Sequence, residues 1–336
     1  MKIVFFGTSE FAVPILKAIK EKTDWEIGLV VSESAKPAGR SNKITDSLVA
    51  KCSKENDLNL VTPISVKDIA GDIKTAEPDI AIVVAYGQII PRSIFDIPKF
   101  KTVNIHPSLL PKLRGPSPIQ TALLEGLKET GVSLMLIDEK MDRGPVLSQE
   151  KVKIADEDNY RELENKLSDL GSKILIRDLP KYIAGIINPM PQNEADATYT
   201  HLIKKEDGRA DWNKSAGEIY NQWRAFSKWP GLFTFSKDRL GRQMRLKLIE
   251  IYSCHSALDA ESRFSDLDAG SKSGMTVARG NGNKPGTIIT DGQKNLFISC
   301  GSGAINVKKL QPENSKTQTA AEFINGYGYV IGQKLF

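Results

Sequence analysis

The chain has 336 residues, 40% of them apolar and 26% charged, and its 46 Lys and Arg against 41 Asp and Glu leave a net charge of +5. That length and apolar content predict two globular domains with buried cores and exclude a disordered chain. No apolar run approaches the ~20 residues that span a bilayer. The apolar start breaks at Ser9 and Glu10 with no small-residue cleavage site, so it reads as the buried first strand of a cytoplasmic protein. The cysteines, Cys52, Cys254 and Cys300, lie far apart and form no Cys-x-x-Cys pair. They predict reduced thiols, without a zinc site or a disulfide framework. The modest positive excess suits an anionic partner such as RNA, and equally an ordinary basic enzyme.

In chain order, Ile3–Gly7 is an apolar strand and Phe11–Ile19 has helical spacing. Trp25–Val31 reads as a strand, Ser47–Glu55 as a helix and Asn59–Val61 as a short strand. Asp79–Val84 is a continuous apolar run, the pattern of a parallel strand covered on both faces. Thr102–Ile105 is a strand, Ile119–Glu125 a helix and Val132–Leu136 a strand. This alternation predicts a doubly wound, Rossmann-like α/β domain over 1–188. Ligands bind such sheets beyond the carboxyl ends of the strands. Gly7, Tyr86, Asn104 and Asp142 all follow apolar runs, so one crevice can hold them together. Gly7-Thr-Ser-Glu lacks the further glycines of a dinucleotide fingerprint, so no nucleotide is expected.

Tyr160–Ile187 is a long helical pattern, ended by Pro189 and Pro191. The polar stretch 189–209 reads as a linker, and Ser215–Ala225 as a helix. Gly231–Phe235, Gln243–Tyr252, Gly286–Thr290, Asn295–Ser299 and Ala304–Leu310 are five short strands, which predict a small OB-like β-barrel over 210–336. Residues 253–284, rich in Ser and Gly, break that rhythm and predict an exposed, poorly ordered insert in which His255 is a bystander.

Three side chains carry the chemistry. Asn104 and His106 stand one residue apart on a strand, and Asp142 precedes Gly144-Pro145. An amine attacking a carbonyl generates an oxyanion and a cationic nitrogen, so a site needs donors at the oxygen and a route for the proton. Asn supplies a neutral donor. His donates when protonated, and a nearby Asp supports the imidazolium or relays its proton. No covalent nucleophile is required. Taken singly, Asn104 also reads as a strand-end residue, His106 as a structural imidazole and Asp142 as a turn acid.

The stretch Asn104-Ile-His106-Pro-Ser108-Leu109-Leu110-Pro111-Lys-Leu-Arg-Gly-Pro resembles the signature of the folate-dependent formyltransferases. Met141-Asp142-Arg-Gly144-Pro-Val-Leu is similar to their second signature, and Val84-Ala-Tyr86-Gly87-Gln-Ile89-Ile-Pro91 to the loop lining the family's pterin pocket. The resemblance implies Asn104, His106 and Asp142 as the catalytic trio, Ser108 to Pro111 with Tyr86, Gly87 and Ile89 as the folate-binding residues, and 10-formyltetrahydrofolate as donor, with no metal.

Members of that family formylate a purine precursor, an amino sugar or the methionine on initiator tRNA. Lys36-Pro-Ala-Gly-Arg40-Ser-Asn-Lys43 resembles the inserted loop with which methionyl-tRNA formyltransferases enter the acceptor stem. Ala210-Asp-Trp212-Asn, Phe226-Ser-Lys-Trp229-Pro-Gly and Leu310-Gln-Pro312 resemble their C-terminal landmarks, with the tryptophans read as packing residues. This implies initiator methionyl-tRNA as acceptor, Arg40, Lys43 and Lys205 as tRNA contacts, and a monomer. Leu202 stands where the family often has a second linker lysine, and Glu313-Asn-Ser-Lys316 replaces a common Gly-Lys-Lys. Two rivals remain, an amino-sugar formyltransferase and an RNA-binding module with a dead enzyme domain.

Overall fold

The computed structural model describes residues 1–38, 42–254, 284–291 and 294–336. Arg40 and residues 255–283 of the expected insert lie outside the described residues. The chain forms two compact units: 1–119, 128–156 and 162–202 in the first, and 120–127, 157–161 and 203–336 in the second.

The first unit is built on a seven-stranded sheet in the order β5-β2-β1-β6-β7-β8-β9. Its strands are β1 (Lys2–Gly7), β2 (Glu26–Val31), β5 (Leu60–Val61), β6 (Ile80–Val84), β7 (Thr102–His106), β8 (Glu129–Leu136) and β9 (Val146–Lys153). The five strands from β5 to β7 pair in parallel. β8 and β9 pair antiparallel, which the alternating pattern did not announce. Residues 137–145 join them, too few for the crossover a parallel pair needs. β9 itself escapes a reading by apolar runs because its outward residues are polar.

Both sheet faces are covered. Val4 and Phe6 of β1 pack with Val66, Ile73, Ile94 and Phe95 on one side. These come from a 3₁₀ turn and from α3 (Ala70–Ala76) and α4 (Arg92–Phe95), which follow α1 (Ala12–Lys22) and α2 (Leu48–Glu55). On the other side α6 (Tyr160–Ile183) packs tightly, since a Cβ on Gly171 would stand 3.0 Å from Ile105 and 3.4 Å from Ile15 of α1. α6 stops earlier than the prolines predict. Gly185 turns left-handed at φ +70°, and the Ile186 amide donates back to the Lys181 carbonyl at 2.8 Å, satisfying an orphan carbonyl before Pro189 is reached.

The inserted loop is flanked by a two-stranded hairpin, β3 (Lys36–Ala38) with β4 (Lys43–Thr45). The linker also differs from expectation. Its first half bonds to the first unit: Arg114 N donates to Thr198 O at 2.9 Å, Thr200 N to Arg114 O at 2.7 Å, and Met190 pairs with Val146.

The second unit holds an antiparallel sheet in the order β10-β11-β14-β13-β12, with β15 beside β14. The strands are β10 (Phe233–Lys237), β11 (Gln243–Cys254), β12 (Ile288–Thr290), β13 (Leu296–Ser299), β14 (Ala304–Pro312) and β15 (Gln318–Thr319). β11 runs to Cys254, so the first two residues of the expected insert belong to a strand. α5 (Pro118–Leu124) straddles the boundary of the units, and α7 (Ala216–Ala225) lies in the second, capped by Ser215 with Glu218. The core includes Trp212, Ile219, Leu246, Ile298, Val307, Phe323 and Leu335. Phe323 belongs to α8 (Ala320–Tyr327), a helix the sequence reading missed. Trp212 packs as expected, its indole donating to Thr234 Oγ1 at 3.0 Å, whereas Trp229 keeps 53% of its surface in water.

The sheet path is open, but residues 332–336 lie along both of its edges. Gly332 N donates to Ile288 O at 2.8 Å and Leu335 N to Gly286 O at 2.9 Å on the β12 side. Phe235 and Phe336 exchange N–H···O bonds of 3.0 and 3.1 Å on the β10 side. Leu335 is 2% exposed between these edges. Leu335→Ala is therefore expected to cost ~2–5 kcal/mol, read as a lower melting midpoint; an unchanged midpoint would show that this segment does not hold the sheet.

Candidate active site

The order of strands reverses between β1 and β6, and open α/β sheets bind ligands at such a point. Thr8, after β1, donates its hydroxyl to the Tyr86 carbonyl, after β6, at 2.6 Å. Tyr86 is buried, and its hydroxyl has no hydrogen-bond partner among the described residues. Burial, with Glu33 nearby, pushes this phenol up to about 12, so it is a neutral group. Ile89, three residues on, is 83% exposed.

His106 ends β7, next in the sheet. Asn104 lies two residues earlier, hence on the same strand face. Asn104 is half-buried and His106 only 4% exposed. His106 Nε2 stands 2.9 Å from the Leu113 carbonyl. A carbonyl only accepts, so Nε2 carries a proton. Nδ1 then faces Asp142 Oδ1 at 3.6 Å. That is ion-pair range and longer than a direct hydrogen bond, so a proton on Nδ1 has the carboxylate beside it and remains available to a third group.

Asp142 does not sit at a strand end as expected. It reaches in from the β8–β9 connection at φ +53°, and its Oδ2 accepts the Gly115 amide at 2.8 Å. Leu113 is likewise left-handed at φ +58°, and Ala85 at φ +45°. Of the nine described non-glycine residues with positive φ, Ala85 and Leu113 alone have wholly apolar side chains. Such strain persists where surrounding contacts over-determine the backbone, and it clusters at functional sites.

The segment Ser108–Pro111 is held from beneath. Ser133 donates its hydroxyl to Ser108 O at 2.6 Å and accepts the Leu110 amide at 3.1 Å. Gln149 Nε2 donates to Leu110 O at 2.8 Å. Ser108 and Leu110 are buried, while Leu109 and Pro111 are half-buried. Neither carries a sequence signal of this role: Ser133 is one polar residue on a largely apolar strand, and Gln149 is one of several polar residues on β9.

The structure thus brings together Asn104, His106 and Asp142 with Ser108 to Pro111, and places Tyr86 and Gly87 on the neighbouring loop. Lys43 is exposed in β4, and Lys205 is exposed in the second unit. Among the described residues, no group of three or more His, Cys, Asp or Glu could hold a metal ion, and no helix is long and apolar enough to cross a membrane.

The family model described as formyl transferase matches residues 1–179, and that for the formyl transferase C-terminal domain matches residues 202–328. The methionyl-tRNA formyltransferase of Thermodesulfovibrio yellowstonii is 39% identical over 326 residues, covering 96% of this chain and 95% of that protein. That of Hydrogenobaculum sp. is 38% identical over 327 residues, 97% of each. The solved N-formyltransferase from Helicobacter canadensis, in complex with folinic acid and dTDP-3-aminofucose, shares the fold at a TM-score of 0.59 and 19% identity, covering 91% of this chain and 98% of that one. With both family models and near full-length relatives agreeing, the chain belongs to the formyl transferase family, among its methionyl-tRNA formyltransferases.

Proposed function

We propose that this chain transfers the formyl group of 10-formyltetrahydrofolate to the α-amine of methionine on initiator methionyl-tRNA. The observation that carries this reading is the His106–Asp142 pair, clamped beside Asn104 next to the sheet's switch point, in a chain whose relatives match it from end to end. An α-amine has a pKa near ~8 in peptides, and an ester lowers it, so the nucleophile needs little deprotonation. Asn104 and the His106 Nδ1–H act as donors to the oxygen that becomes negative as the amine adds to the formyl carbon. Asp142 offsets the imidazolium charge and passes the amine's proton toward the departing folate nitrogen. Ser108 to Pro111, Tyr86, Gly87 and Ile89 hold the folate; the buried Tyr86 hydroxyl, without a partner among the described residues, supports that role.

The division we propose is a catalytic domain over 1–188, a linker over 189–209 and an OB-like barrel over 210–336. The bonds of residues 332–336 to both sheet edges support the barrel reading. We read the protein as a monomer acting in the cytoplasm, where charged tRNA is found.

The test is incubation with 10-formyltetrahydrofolate and either methionyl initiator tRNA or a nucleotide amino sugar. Formylation of the tRNA alone is expected; formylation of the sugar alone would overturn the reading. Arg40, Lys43 and Lys205 are assigned to the tRNA. Arg40→Ala should lower kcat/KM for the tRNA about tenfold, the size of one good basic contact, with KM for the folate unchanged. Loss of folate binding instead would place that loop wrongly.

A further inference from the structure

We propose that Arg114 and Gln192 are positioning residues that hold Asp142 and His106 in register from behind, so that the linker completes the active site. This rests on the catalytic reading given above. Arg114 is wholly buried. A guanidinium is charged at any working pH, so burying one demands full satisfaction. It has it. Nε and Nη2 donate to Gln192 Oε1 at 3.1 and 2.8 Å, Nη2 and Nη1 to the two Glu194 oxygens at 3.0 Å each, and Nη1 to the Tyr199 hydroxyl at 3.1 Å. All five N–H groups are spent on three linker residues.

The Gln192 amide, with its oxygen fixed by Arg114, can point its nitrogen only one way. Nε2 donates to the Asp142 carbonyl at 2.9 Å and to the Gly144 carbonyl at 2.7 Å. Glu194 also pairs with Arg143 at 2.6 Å. The Arg114 hydrogen bond, helped by Arg143, holds the Glu194 carboxyl below the usual carboxylate range. Linker and Asp142 loop are therefore stitched at three successive residues, 142 to 144.

The backbone on either side of Arg114 does the rest. The Leu113 carbonyl takes the His106 Nε2 proton, and the Gly115 amide holds Asp142 Oδ2. A single segment, Leu113 to Gly115, thus touches both members of the pair through its main chain and fixes Asp142 again through its side chain. The network acts on the pair through main-chain groups of residues 113, 115, 142 and 144. Its effect is the 3.6 Å separation of His106 and Asp142, and a displacement of about 1 Å at reacting groups costs on the order of 10²-fold in rate.

Removing Arg114 would empty the space of a wholly buried side chain and leave the Gln192 oxygen without its partners, which risks the fold, so Gln192→Ala is the variant to use. It should lower kcat by about 10- to 100-fold with both KM values within about twofold. The discriminating measurement is a double-mutant cycle with Asp142→Ala. If Gln192 acts through Asp142, adding Gln192→Ala to Asp142→Ala costs less than about twofold further. A merely structural role predicts losses that multiply, and that result would overturn the proposal, as would unchanged kcat in Gln192→Ala. Should Asp142→Ala itself turn over like wild type, the catalytic reading fails, and the positioning role falls with it.

Discussion

His106→Ala is expected to lower kcat by on the order of 10²–10³, the usual loss when one preorganised donor is removed from a developing oxyanion. The ring is nearly sealed from water and anchored through Nε2 to the Leu113 carbonyl, so its working edge is Nδ1, with Asp142 alongside. Alanine also leaves that buried carbonyl unpaired, a cost of about 1–3 kcal/mol, so a melting curve must accompany the kinetics. His106→Gln separates the two effects. A glutamine amide can donate to Leu113 O and recover stability, but it cannot become a cation beside Asp142, so kcat stays low. Asn104→Ala and Asp142→Ala should fall into the same range. Their combination with His106→Ala should cost far less than the product of the single losses, because groups acting as a unit are not additive. Wild-type turnover in any of the three single variants would remove that residue from the mechanism.

Much of this was legible before any coordinates, and the reasons are local. Asp79–Val84 reads as a doubly covered parallel strand because every residue after Asp79 is apolar, and Ile80–Val84 is buried throughout. Asn104 and His106 stand out because polar groups at alternate positions of such a strand must share one face. The Ser215–Glu218 spacing marks a helix start, and both halves of the capping box form. What was not legible depends on contacts between distant positions. Gln192 looks like any polar linker residue, yet it reaches Asp142, 50 positions away in sequence. Ser133 and Gln149 are ordinary strand polars until the Ser108–Pro111 turn is laid over them. The left-handed conformation of Leu113 runs against what its side chain favours, and no propensity argument would place it there. Residues 332–336 carry too little pattern to announce that they pair with two strands at once.

Gly144→Ala should test the Asp142 loop from its other end. A Cβ at this position would stand 1.9 Å from the Leu136 carbonyl oxygen and 2.9 Å from its carbon. Both are backbone atoms of β8, so no side chain can swing away to make room. The adjoining ladder is also engaged, with the Leu136 amide donating to Pro145 O at 2.9 Å and Met135 in register with Val146. The only relief is to part β8 from residues 142–145. That shift moves the Gly144 carbonyl off Gln192 and carries Asp142 away from His106. Overpacking of this kind costs about 1–3 kcal/mol, and the displaced carboxylate should lower kcat by about 10²-fold. Gly71→Ala is the control. It lies in α3 with nothing within 4 Å of the added atom, so alanine there should be neutral or slightly stabilising and leave kcat alone. If Gly144→Ala melts lower yet turns over normally, the loop tolerates movement and the His106–Asp142 separation does not govern the rate. If turnover falls while Gly71→Ala is silent, the close approach of Gly144 to Leu136 is what sets Asp142 in place.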